Sequence, residues 1–234
     1  MEIFPGIEII DLSLYIKKEK ILIFSDVHIG LEEAYNKQGI LIPRFQFPEI
    51  IKHLDKIFSK VKPKITVING DLKHEFGTIS NQEWKYTLKL LDYLIEKKQE
   101  IILIKGNHDT ILGPIAEKRE IKITDYYNPN KDITITHGHK ILESKRLNKT
   151  IIIGNEHPAI SFKERKYEKY KCFLLGKWKS HDLIVIPSFN FVTEGTDITK
   201  EKLLSPYLHQ DLKNFEVFIV EDKIYKFGKI KILK

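Results

Sequence analysis

Six short runs of apolar, mostly β-branched residues are set at intervals along this chain. They fall at residues 21–24 (Ile-Leu-Ile-Phe), 65–68 (Ile-Thr-Val-Ile), 101–104 (Ile-Ile-Leu-Ile), 133–136 (Ile-Thr-Ile-Thr), 151–153 (Ile-Ile-Ile) and 183–186 (Leu-Ile-Val-Ile). Runs this short and rich in β-branched residues read as strands covered on both faces. Between the first two, residues 48–59 place Ile50, Ile51, Leu54, Ile57 and Phe58 on one helical stripe. Between the second and third, residues 81–97 do the same with Trp84, Leu88, Leu91, Leu94 and Ile95, and Asn81 is expected to cap that helix with Glu83 in its first turn. Beyond about residue 120 the pattern becomes strands and turns, with one short helix expected at residues 200–204. A βαβαβ first half followed by a β-rich second half predicts an α/β (or α+β) architecture of two packed sheets flanked by helices. No Pro/Ser/Gly-rich linker divides the 234 residues, so 1–234 is expected to be a single domain.

The informative residues follow the runs. The first leads into Ser25-Asp26-Val27-His28, the second into Asn69-Gly70-Asp71, and the third, after Lys105, into Gly106-Asn107-His108-Asp109. The fourth leads into His137-Gly138-His139 and the fifth into Gly154-Asn155-Glu156-His157. Sites in open α/β sheets lie at the carboxyl ends of strands, where such loops converge. Asp26 and His28, two apart, would point to the same side of an extended chain. Any one of these endings alone is ordinary turn chemistry. Five in succession point to metal ligation. Carboxylates, imidazoles and an amide oxygen without thiolate suit Mn, Fe, Zn, Ni or Co. A carboxylate such as Asp71 can bridge two ions, which neutralise phosphate oxygens while the water between them loses a proton and becomes the nucleophile.

The single cysteine, Cys172, excludes an internal disulfide and fits a reducing cytoplasm. The N-terminus lacks a basic stretch followed by an apolar one, and no apolar run approaches membrane-spanning length, so a cytoplasmic chain without membrane contact is expected. A formal net charge of +7 would attract polyanions, or simply reflect a lysine-rich solvated surface. Residues 163–179 carry seven Lys or Arg against two Glu, with Tyr167, Tyr170 and Trp178 interleaved. That segment reads as a hairpin with solvated lysines, with a nucleic-acid-binding ribbon as the alternative.

The series Asp26-x-His28, Gly70-Asp71, Gly106-Asn107-His108-Asp109, His137-Gly138 and Glu156-His157 resembles the calcineurin-like metallophosphoesterases over residues 21–157. The surrounding words, residues 70–76, 156–160 and 187–190, look like its compact archaeal branch, which is related to SbcD-type repair nucleases and similar to the bacterial phosphoesterase found beside a DNA ligase. The resemblance implies a four-layer αββα sandwich and two divalent metal ions, manganese foremost, with Ni, Co, Zn or Fe as alternatives. It implies that Asp26, His28, Asp71 and His157 hold the first metal, that Asp71 bridges, and that Asn107 and His137 hold the second. His108 would donate a hydrogen bond or proton to the phosphate, and Asp109 would orient its imidazole. The family has His-x-His at the last motif; here the first of these is Asn155, a weaker ligand for the second metal. His139 is read as a bystander. His74 is a candidate for contact with the phosphate or leaving group, with a polar loop residue as the alternative, and Lys73 and Glu75 read as surface.

The function implied is a phosphodiesterase or nuclease acting on nucleotides or nucleic acid, with a phosphomonoesterase or phosphoprotein phosphatase as the alternative and a metal-depleted binding scaffold behind both. A phosphoester substrate is the expected partner, nucleic acid and a second copy of the chain being further candidates. Because Asn155 replaces an imidazole, calorimetric titration of manganese into the metal-free protein is expected to resolve two unequal sites. Two equally tight sites would contradict the reading.

Overall fold

A computed structural model describes residues 1–75, 79–109, 112–113, 116, 119–162 and 165–232. Its first sheet runs in chain order: β1 (Glu2–Phe4), β2 (Ile7–Ile10), β3 (Ser13–Ile16), β4 (Ile21–Phe24), β5 (Ile65–Asn69), β6 (Glu100–Ile104) and β7 (Lys122–Thr124). Pairing is antiparallel as far as β4 and parallel from β4 to β7. The second sheet contains β8 (Tyr126–Tyr127), β9 (Ile133–Thr136), β10 (Thr150–Ile153), β11 (Pro158–Phe162), β12 (Arg165–Trp178), β13 (His181–Val185) and β14 (Thr196–Asp197). Its order is β14-β11-β12-β13-β10-β9-β8, and β15 (Glu216–Val220) joins β12 and carries β16 (Ile224–Lys229). Helices α1 (Leu31–Lys37), α2 (Gln46–Lys60) and α3 (Asn81–Glu96) complete the α/β sandwich of two mixed sheets.

Apart from the half-buried Ile65, the apolar runs are buried because each strand has cover on both sides. In β4, Leu22 and Phe24 point outward to Ile50, Leu54, Leu90 and Leu94 of α2 and α3. Ile21 and Ile23 point the other way, into a layer shared with Ile135, Ile152, Phe173, Ile184 and Phe218 of the second sheet. Ile151 and Ile153 of β10 face a third layer, closed by Tyr207, Leu208, Leu212 and Phe215. Cover there comes from turns and 3-10 segments such as Pro206–Leu208. Each such side chain, fully buried, contributes about 1.5–3 kcal/mol, which makes the side-chain period of two decisive for register.

Several expectations shift. The helix expected from residue 48 begins at Gln46, so Pro48 sits in its first turn, where a missing N–H costs nothing. Its N-cap residue, Phe45, offers no side-chain cap; the buried Glu32 of α1 supplies one, Oε1 accepting from the amides of Phe45 (2.6 Å) and Gln46 (2.8 Å). The cap of α3 is Ser80 rather than Asn81, in a reciprocal box with Glu83. No helix forms at residues 200–204, because Glu156 takes the amides of Leu204 and Ser205 and Pro206 follows. Among the described residues no helix is long and apolar enough to cross a membrane.

The β2–β3 turn is tied to α2 by Asp11, whose carboxylate meets His53 Nδ1 at 2.8 Å and Lys56 Nζ at 3.1 Å. Burial alone would raise the Asp11 carboxyl; the hydrogen bond and charge of His53 outweigh it and hold it below the usual range. A carboxylate depressed in this way adds stability above its unfolded value, near pH 4, which is lost as pH falls through the folded value. Asp11→Asn is therefore expected to cost about 1–2 kcal/mol at pH 7, with the difference from wild type vanishing in acid, as read by denaturant titration at each pH.

Candidate metal centre

The strands end in step. Phe24 of β4 pairs with Ile68, and Asn69 of β5 with Ile104, so the loops carrying Asp26, Asp71 and Asn107 leave the first sheet side by side. Thr136 pairs with Ile153 in the second sheet, which brings His137 beside Gly154. The seam is closed across the sheets. Asn69 Nδ2 donates to the Thr136 carbonyl (3.0 Å), and the Asn69 carbonyl accepts from Ser25 Oγ (2.7 Å) and His137 Nδ1 (3.0 Å). Holding the Nδ1 proton of His137 leaves Nε2 turned into the site.

All five sequence motifs therefore converge. Asp71 Oδ2 lies 3.4 Å from His137 Nε2, 3.7 Å from His28 Nε2 and 3.8 Å from His108 Nε2. His28 and His157 face each other through Nε2 at 3.3 Å, His157 Nε2 is 3.1 Å from Asp26 Oδ1, and Asn107 Oδ1 is 3.3 Å from His137 Nε2. Two donor groups result: Asp26, His28 and His157, and Asp26, Asp71 and His137. The third group, His28, His74 and His108, lies beside them, with His74 and His108 stacked at 5.4 Å and 23°. Asn155 joins through its backbone, its amide donating to Asp26 Oδ2 at 3.0 Å.

The donors fit a divalent cation. Asp26 Oδ1 is fully buried and its nearest polar neighbour is His157 Nε2 at 3.1 Å. Burial would raise Asp26, but the charges of His157 and His137 hold it below the carboxylate range. Asp71 is likewise held well below it, His137 outweighing burial. Burial, then the charge of His157, pushes His28 down to about 3, which keeps its lone pair free. His137 goes the other way: burial lowers it, but Asp26 and Asp71 carry it up to about 9, so a proton there answers the two carboxylates. Carboxylate and amide oxygens with imidazole nitrogens and no thiolate suit divalent transition metals.

Close approach is built into the backbone. A Cβ at Gly70 (φ +84°) would overlap the His137 ring, and one at Gly106 would overlap the Asp71 carboxylate. Asp26, His28, Asp71, Asn155 and His157 all have φ between +47° and +64°, a region that costs non-glycine residues of order 1–3 kcal/mol each. Buried carboxylates hold these loops. Glu83 Oε1 accepts from the amides of His74 (3.1 Å) and Glu75 (2.8 Å), fixing the His74 loop. Asp109 was expected to orient His108; its oxygens take the amides of Leu72 (3.0 Å), Lys73 (3.3 Å) and Gly106 (3.1 Å), while His108 Nδ1 meets the His74 carbonyl. Burial and the Asp71 charge raise Asp109 to about 6. Lys73, expected at the surface, is fully buried with Nζ on the Glu75 carbonyl, whereas Glu75 is half-buried. His139 sits beside the site, its ring 5.3 Å from that of His137. Asn69, Ser25 and Glu83 were not singled out as site residues. For Glu83 a signal existed, since Ser80 three residues earlier marks a capping box.

The family model described as calcineurin-like phosphoesterase matches residues 19–219. This chain belongs to the calcineurin-like phosphoesterases. It is accordingly a hydrolase acting on phosphoric esters, in a metal-dependent family. No curated protein matches it by sequence. Among solved structures, a nuclease MPE of Pseudomonas putida shares its fold with a TM-score of 0.66 at 18% identity, over 90% of this chain and 89% of that one. The phosphoesterase Yfce of E. coli aligns at 14% identity over 86% of this chain and 88% of that one, with a TM-score of 0.40.

In this phosphoesterase Asp109 ties the site loops together, so Asp109→Asn is expected to lower the stability of the metal-free protein by about 2–3 kcal/mol. The denaturation midpoint measures it; an unchanged midpoint would return Asp109 to a role on His108.

Proposed function

We propose that this calcineurin-like phosphoesterase hydrolyses phosphodiesters of nucleotides or nucleic acid with two divalent cations, manganese foremost. The observation that carries the reading is Asp71 Oδ2, one buried oxygen lying within 3.4–3.8 Å of the imidazole nitrogens of His137, His28 and His108. A carboxylate so placed suits a bridge between two ions. Asp26, His28, Asp71 and His157 would hold the first, and Asp71, Asn107, His137 and Asn155 the second, more weakly. When bound, the cations supply Lewis acidity toward phosphate oxygens and acidify a water.

The chain's own residues supply the rest. With Nδ1 of His108 on the His74 carbonyl, its Nε2 is the nitrogen turned to the site, and that is where the proton for a leaving oxygen would reside. The His74 ring, stacked on it, offers a second nitrogen to a diester oxygen. Support for a diester comes from the shared fold of the Pseudomonas putida nuclease and from the net charge of +7, which favours a polyanion.

With manganese, bis-p-nitrophenyl phosphate is expected to be hydrolysed faster than p-nitrophenyl phosphate. His108→Ala should lower kcat by about 10²–10⁴-fold with metal content unchanged. A tenfold or greater preference for the monoester would overturn the diesterase assignment.

A further inference from the structure

Lys171 lies in the segment whose composition suggested solvated lysines or a nucleic-acid ribbon, and it does neither. The first two residues of that segment, 163–164, lie outside the described residues. Farther along, Cys172, Phe173, Leu174 and Trp178 are core residues, Lys169 pairs with Glu201 at 2.5 Å, and Lys177 pairs with Asp182 at 2.6 Å. Lys171 sits opposite Ala159 in the β11–β12 pairing and sends its ammonium inward. The three donors of that ammonium meet three oxygens: the Ser188 carbonyl (3.0 Å), Ser188 Oγ (2.7 Å) and the Asn190 carbonyl. Burial pulls this amine down to about 7, against the attraction of Asp26 and Glu194. An ammonium whose donors all go to Ser188 and Asn190 ties β12 to that one short segment.

The oxygens it holds belong to a strap that crosses from the second sheet to the first. Beyond β13, Ser188 forms a parallel bridge with Ser25, the Phe189 amide donates to the Ser25 carbonyl (2.7 Å), and Asn190 Nδ2 donates to the Val27 carbonyl (3.2 Å). The Phe189 ring packs on Phe24 at 4.9 Å. Ser188, Phe189 and Asn190 are all fully buried. The strap therefore runs beside residues 25–28, the loop in which Asp26 (φ +57°) and His28 (φ +49°) are held in a left-handed backbone. From the other side Gln46 Nε2 donates to the same Val27 carbonyl at 2.6 Å.

We infer that Lys171 is a positioning residue for the first metal: its ammonium fixes the 188–190 strap, and the strap holds Asp26 and His28 in ligating geometry. The inference rests on the proposal that these two residues bind a cation. It concerns a strand, β12, that contributes no residue to the site itself.

The test compares Lys171→Met, Lys171→Gln and wild type as full chains. Lys171→Met is expected to weaken the tighter manganese site by about tenfold in calorimetry. In the metal-free protein it should speed hydrogen exchange at residues 25–28 and at Phe189 while leaving β15 and β16 unchanged. Lys171→Gln, which keeps donors for two of the three oxygens, should recover most of both. Wild-type affinity and exchange in a folded Lys171→Met would overturn the inference, as would acceleration spread evenly over the fold. Should Lys171→Met fail to fold, Ser188→Ala and Lys171→Gln decide: both readouts at wild-type values in both variants would overturn it. Absence of manganese binding by the wild type would remove the proposed metal site instead, and exchange at Phe189 would still show whether the strap depends on Lys171.

Discussion

Asp26 and Asp71 are buried together where the two sheets meet, and two carboxylates out of water persist only when positive charge and hydrogen-bond donors are brought to them. The surroundings of both residues answer that need. Backbone amides of Asn155 and His108 point at one oxygen of each. His137 sits between them, its imidazole carried up to about 9 by their charges and its ring fixed by the Asn69 carbonyl. What remains unanswered is one oxygen of Asp26 and a cluster of inward-facing imidazole nitrogens. A pocket whose carboxylates are answered by imidazole protons accepts a cation in exchange for them.

Holding these groups convergent requires unusual backbone, and the molecule secures it with carboxylates turned to a different use. Glu32, Glu83, Asp109 and Glu156 are buried, and each accepts backbone amides at a loop of the site or at the loop packed behind it. Burial raises Glu156 to about 7, as it raises Asp109. Acidic residues near the centre thus divide into two kinds. Asp26 and Asp71 present oxygens to the cavity, and each of the other four holds backbone amides through at least one oxygen.

How much of this was legible in the sequence follows from the range of each interaction. β4, β5, β6, β9 and β10 could be read because their residues alternate between two buried layers, a property of the strand itself. The convergence of Asp26, His28, Asp71, Asn107, His137 and His157 could be read because parallel strands deliver their ends to one edge. The meander from β1 to β3 has strands of only three or four residues, too short to stand out beside the longer runs. α1 has seven residues and follows Gly30, which offers no side-chain cap, so it carries no signal. Asp109 looked like a partner for its neighbour His108, yet its hydrogen bonds close a loop 37 residues away. Lys171 was hidden more deeply. Its own segment is rich in charge, and only the three-dimensional path of residues 188–190 gives its ammonium three inward acceptors.

The site is assembled from two sheets, three strand ends from one and two from the other, and Asn69 links them across the seam. Relative sliding of the sheets would therefore misalign the donor atoms before it disturbed either sheet internally. The packing layer of Ile23, Val67, Ile135, Ile152 and Phe173 sets the alignment of an instrument whose moving parts lie beyond its edge. Residues in that layer lie behind the donor atoms, so a change in their volume is expected to shift the sheets and with them the distance between Asp71 and His137. The tolerance of this enzyme to substitution should thus be narrower in its middle layer than in either outer one.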